Sequence, residues 1–134
     1  MKVLSHLLLL ITASCSAVES VERNWSFIEK VGGLEIGKPY KELNTNYLPI
    51  NVDVSGLKKV TTKPTTLNSA LMCSRTGHII KDNEIHISIY TSLINETAGR
   101  NCKSIPLLGI KEGKYTVYYS TKNTEKHKLG SITI

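Results

Sequence analysis

The residue types that do chemistry are few and scattered in this 134-residue chain. Past the first 17 residues the histidines are His78, His86 and His127. No His-x-His or HExxH spacing joins them, so no zinc site is signalled. Ser55, His86 and Asp53 could supply a Ser-His-Asp set. Yet no GxSxG elbow holds a serine in the strained turn such a nucleophile needs, and Asp53-Val54-Ser55-Gly56 reads as a strand end entering a turn. The carboxylates are spread out, without the paired signal of a glycosidase. Neither type of glycine-rich phosphate loop occurs. The chain is therefore read as a non-enzyme, with no catalytic residue, no metal ligand and no cofactor site expected.

Aromatic residues offer a different chemistry, stacking. Trp25, Tyr90 and Tyr118 are the candidates for binding a glycan or small ligand, because Tyr90 and Tyr118 can project outward from adjacent strands as a platform. The competing account is cross-strand aromatic pairing, which stabilises a sheet by roughly 0.2–1 kcal/mol per pair.

The first 17 residues, MKVLSHLLLLITASCSA, have the layout of a secretory signal: Lys2, an apolar run from Val3 to Ile11, then small residues. Two cleavage readings stand. Thr12-Ala13-Ser14-Cys15 resembles the lipobox of bacterial lipoproteins, which would leave a lipidated Cys15 and, with Ser16 next to it, imply outer-membrane sorting. Cleavage after Ala17 also fits. No later stretch approaches the ~20 apolar residues of a membrane helix, so membrane attachment is expected only through a lipid on Cys15. The expected location is the periplasm, the outer membrane or the outside of a bacterial cell.

Residues 18–134 have the length of one domain. They keep all but one of the 17 Lys and Arg against 11 Asp and Glu. The densest basic stretch is Lys122, Lys126, His127 and Lys128, and the remaining charges are dispersed. No nucleic-acid surface is expected from that pattern. Two cysteines remain after processing, Cys73 and Cys102. An even count in an exported chain predicts a disulfide, worth roughly 3–4 kcal/mol on the chain-entropy account.

The elements that must position these residues read as short strands. EIHISIYTSLI alternates strictly, with Ile85, Ile87, Ile89, Thr91 and Leu93 on one face and His86, Ser88, Tyr90 and Ser92 on the other. Asp82-Asn83 supplies the turn before it. In NYLPINVDV, Leu48, Ile50, Val52 and Val54 share a face, and Pro49 directs the strand to a sheet edge. The Gly32-Gly33 pair predicts a hairpin between WSFIEKV and LEIG. A helical turn uniting Val18, Val21, Trp25 and Ile28 is the alternative. Lys111-Glu112-Gly113 predicts a hairpin joining LLGI to KYTVYYS, with Tyr115, Val117 and Tyr119 in the core and Tyr118 outside. About eight strands at short intervals imply an all-β fold, an antiparallel sandwich with a small β-barrel as the alternative.

From Cys73 to Ile134 the chain resembles small exported bacterial proteins of unknown function. The shared pattern is a cysteine, the strand Ile85-His86-Ile87, a second cysteine, Leu108-Gly109, and then Gly113, Tyr115, Val117 and Tyr119. The resemblance implies an immunoglobulin-like β-sandwich with an inter-strand disulfide, and it implies no functional residues. By elimination the expected function is a non-catalytic interaction module, an inhibitor or immunity protein binding another envelope or secreted protein. The loop Ile94–Cys102, pinned by the bridge, is its expected contact. A glycan- or ligand-binding module and a cell-envelope hydrolase are the alternatives.

Overall fold

The structure, a computed structural model, describes residues 20–54, 71–93, 102–122 and 125–134. The leader with Cys15, the Ser55-Gly56 turn and all but the last residue of the Ile94–Cys102 loop lie outside them. The elements, in order, are β1 (Val21–Glu22), α1 (Trp25–Val31), β2 (Glu35–Ile36), β3 (Tyr40–Glu42), β4 (Thr45–Leu48), β5 (Ile50–Asn51), β6 (Leu71–Lys81), β7 (Glu84–Leu93), β8 (Ile105–Leu107), β9 (Lys114–Ser120) and β10 (Lys126–Thr133).

Strand β7 organises the main, five-stranded sheet. Strand β6 runs antiparallel along one side of it, joined through the Asp82-Asn83 turn, where Asp82 takes a left-handed backbone (φ 54°). On the other side β1 pairs with one end of β7 and β9 with the other, and β10 follows β9. Strands β3, β4 and β8 form a second sheet, and β2 and β5 a two-stranded ribbon. These sheets run open, with no closed barrel among the described residues, which removes the barrel alternative.

The alternation of β7 is realised from Glu84 to Ile89, with Ile85, Ile87 and Ile89 buried; beyond it Tyr90, Thr91 and Ser92 are all buried and Leu93 is exposed. Ile85, Ile87 and Ile89 pack with Val117 and Tyr119 of β9, Leu48 of β4, Ile105 and Leu107 of β8, and Ile28 and Val31 of α1 in one core. Each such fully buried aliphatic side chain contributes on the order of 1.5–3 kcal/mol.

Four local expectations are corrected. Gly32-Gly33 ends a helix rather than turning a hairpin. Asn24 caps its start, with Oδ1 accepting from the Phe27 N–H at 2.9 Å, and the glycines close its end at φ 126° and 87°. The Gly33 N–H donates back to the Ile28 carbonyl at 2.8 Å, a helix-ending bond that a side chain at positive φ would strain. Spacing of three, Trp25 to Ile28 to Val31, prevails because it turns Ile28 and Val31 into the core.

Secondly, Pro49 divides its strand instead of sending it to an edge. Strand β4 before it lies between β3 and β8, and β5 after it pairs with β2. Thirdly, LLGI and KYTVYYS do not form a hairpin: β8 pairs with β4, whereas β9 lies against β7 and β10. Finally, β7 and β9 are parallel, so the antiparallel pattern is not complete. A parallel pair requires a crossover. Here the chain leaves the main sheet, contributes β8 to the second sheet and returns as β9.

Candidate functional site

Cys73 and Cys102 are bonded, with an S–S distance of 2.03 Å and Cα atoms 5.1 Å apart. The bridge fastens β6 of the main sheet to the segment leading into β8 of the second sheet. Both cysteines pack against the core.

Trp25, Tyr90 and Tyr118 are not brought together, and each is occupied. Trp25 stacks on His127 with ring centroids 4.8 Å apart and meets Tyr119 at 5.7 Å. Its amide donates to Glu125 Oε2 at 3.1 Å. Trp25 thus docks α1 on the strands. Tyr90, expected to project into solvent, is buried: Arg75 lies 3.6 Å over its ring, and Gly77 leaves room beneath it. Tyr118 does face outward, but it is stacked on His86 at 5.3 Å and covered by Lys126 Nζ at 4.2 Å. The shared face exists and the open stacking platform does not. The register pairs Tyr118 with His86, four residues along β7 from Tyr90.

That outer face carries a hydrogen-bonded array which sequence spacing did not reveal. His86 Nδ1 lies 2.6 Å from Ser120 Oγ, and His86 Nε2 lies 2.8 Å from Glu84 Oε2. Lys126 Nζ donates to the other carboxylate oxygen at 3.0 Å. Glu84 and His86 share a face because they are two apart on one strand, and the parallel neighbour delivers Ser120 beside them. The bond from His86, and after it the bond from Lys126, holds the Glu84 carboxyl below its ordinary 4.5. The order serine, imidazole, carboxylate is that of a nucleophilic triad. Two features weaken it: Lys126 competes for the carboxylate, and the set lies on an open sheet face instead of in an elbow. His86 is therefore tied to Glu84 and Ser120. The imagined partner Ser55 lies outside the described residues.

A second feature sits on the three-stranded sheet. Strands β3 and β4 form a tight hairpin whose two turn residues, Leu43 and Asn44, are both left-handed, at φ 47° and 63°. Two-residue turns of this kind favour Asn and Gly. A branched side chain in that backbone costs roughly 1–2 kcal/mol. Leu43 is nonetheless 94% exposed, so burial does not offset the strain. The stem is stiffened by Tyr40 stacked on Tyr47 at 5.3 Å. Antiparallel pairing of Asn46 with Leu107 brings the Leu108-Gly109 turn alongside the hairpin tip. Leu108, read from sequence as a strand end, is 71% exposed. A shallow cleft of about 280 Å³ lies between the two turns, lined by Lys41, Asn44, Asn46, Leu108 and Ile110 among others. The sequence signal for Leu43 was a leucine in a polar turn, KELNTN, which hydrophobic periodicity passes over.

Comparison with family models, with curated proteins and with solved structures finds no match to this chain.

Proposed function

We propose that the protein is a non-catalytic exported interaction module on an immunoglobulin-like frame. In this reading it occupies another envelope or secreted protein by steric contact, as an inhibitor or immunity protein does. The observation that carries this reading is the hairpin tip. Leu43 sits in a backbone that disfavours it and projects into solvent, and Leu108 projects from the adjoining turn. Local strain without a packing benefit is the mark of a residue kept for contact with something else. Paired apolar tips on a stiff stem suit insertion into an apolar slot on a partner. The Cys73–Cys102 bridge supports an oxidising compartment and hence export.

The test is Leu43→Asn. Asparagine accepts the left-handed backbone, so the variant is expected to be as stable as the parent or up to about 1 kcal/mol more stable. Bait carrying Leu43 is expected to recover one specific exported protein from a cell-envelope fraction, and the variant bait is expected to lose it. No specific enrichment by the parent bait, or equal recovery by both, overturns the reading.

A cell-envelope hydrolase is the second reading, and Ser120, His86 and Glu84 are the observation in its favour. It ranks lower because Lys126 shares the carboxylate. No comparable observation favours the glycan reading, since the three aromatic residues are separately occupied.

A further inference from the structure

The positive charge of the protein is unevenly placed. Alternate residues of a pleated strand face opposite sides. The register puts Arg75 and Lys81 of β6, Lys114 of β9, and Lys126 and Lys128 of β10 on the outward face of the main sheet. All are exposed. The described strands add two carboxylates to this face: Glu84, held by His86 and Lys126, and Glu22 of β1, in register with Tyr90 and accepting from the Lys122 N–H. Elsewhere the described residues carry as many carboxylates as cations. The positive excess of the described residues therefore belongs to this face.

Its layout is a neutral centre with a rim that is cationic except at Glu22, beside the far end of β7. Tyr118, His86, Ser120 and the Glu84–Lys126 pair fill the middle, and Ile79, 68% exposed, stands beside them. No carboxylate of the described residues pairs with Lys81, Lys114 or Lys128. From β6 across β7 and β9 to β10 is three inter-strand steps, about 14 Å. Arg75 and Lys81 lie about 20 Å apart along β6. An α-helix with its side chains is about 10–12 Å wide.

We propose that the outer face of the main sheet is a docking surface for an acidic α-helix of a partner protein. The helix lies along the strands, with carboxylates on one flank reaching Arg75 and Lys81 and on the other reaching Lys128. Its underside rests on Tyr118, His86 and Ile79. Charge complementarity selects this occupant. A second copy of the chain would bring like charges together, and a membrane would find Ile79 as the one large exposed aliphatic group of the centre. A thin polyanionic strand would not span both rims. This surface is separate from the hairpin tip, so either can fail without the other.

The experiment titrates the full protein with a fluorescent, glutamate-rich helical peptide of about 20 residues. Comparison probes are the same composition interrupted by prolines, a lysine-rich counterpart, heparin, and phosphatidylglycerol vesicles. Saturable binding of the acidic helix is expected, weakening as salt rises. The Lys81→Glu/Lys128→Glu double variant is expected to lose about tenfold or more in affinity. Lys30→Glu/Lys38→Glu, with the same charge change away from this face, is expected to bind as the parent does. Unfolding midpoints establish that both variants are folded. Absence of saturable binding overturns the proposal, as does equal loss in the two variants. Equal or tighter binding of the proline-interrupted peptide, heparin or vesicles also overturns it.

Discussion

Leu43 and Tyr119 show how differently single residues can be held. Leu43 is strained and exposed; Tyr119 is the largest fully buried side chain among the described residues, and its hydroxyl is shared between two backbone groups. The phenol donates to the Arg23 carbonyl and accepts from the Ile89 N–H at 3.3 Å. It thereby fastens the N-terminal segment to β7 and β9. Burial pushes its pKa up from 10.0 to about 12, against a smaller opposing effect of the Ile89 N–H. Because the folded value lies above the unfolded one, the unfolded chain loses this proton first. The resulting contribution to stability is present below pH 10 and is lost as pH rises through about 12. Tyr119→Phe is expected to cost about 1–3 kcal/mol at neutral pH, since both backbone groups lose their partner. It should also remove part of the stability loss between pH 10.0 and about 12. Denaturant unfolding of parent and variant across that range checks both outcomes.

At the scale of elements, α1 depends on its ends more than on its length. Seven residues make barely two turns, too few to be stable alone. The helix persists because Ile28 and Val31 enter the core, Asn24 caps one end and the glycine pair closes the other. Asn24→Ala is expected to destabilise the protein by about 1 kcal/mol through loss of the cap. Chemical denaturation measures that loss, and a change indistinguishable from zero would contradict the capping role. Period-two strands such as β7 were legible because every second residue meets the same core. The run WSFIEKV was ambiguous because a short apolar segment satisfies either period, and contact with the sheets decides between them. Pro49 does not send its strand to an edge, because its effect on the strand depends on neighbours that sequence does not display.

At the scale of the whole molecule, the disulfide joins two sheets that are also held by a shared core. Cys73 and Cys102 are 29 residues apart, so their bond restricts a substantial loop of the unfolded chain. Reduction, or the Cys73→Ser/Cys102→Ser double variant, is expected to lower stability by about 3–4 kcal/mol. Unfolding with and without reductant tests this, and coincident curves would show that the core alone sets stability. By itself the sequence determined the strand-rich character, the cysteine pairing, the Asp82-Asn83 turn and the burial of Tyr115, Val117 and Tyr119. These follow from local alternation, turn chemistry and an even cysteine count, all of which act over a few residues or by composition. Tertiary structure alone decided that β7 and β9 run parallel and that the stretch between them visits another sheet. It likewise decided that the Leu43-Asn44 and Leu108-Gly109 turns lie side by side, and that the cations of β6, β9 and β10 share one face. Those outcomes depend on pairing between strands distant in the chain. Pairing is selected by the fit of the whole core, which no local pattern encodes.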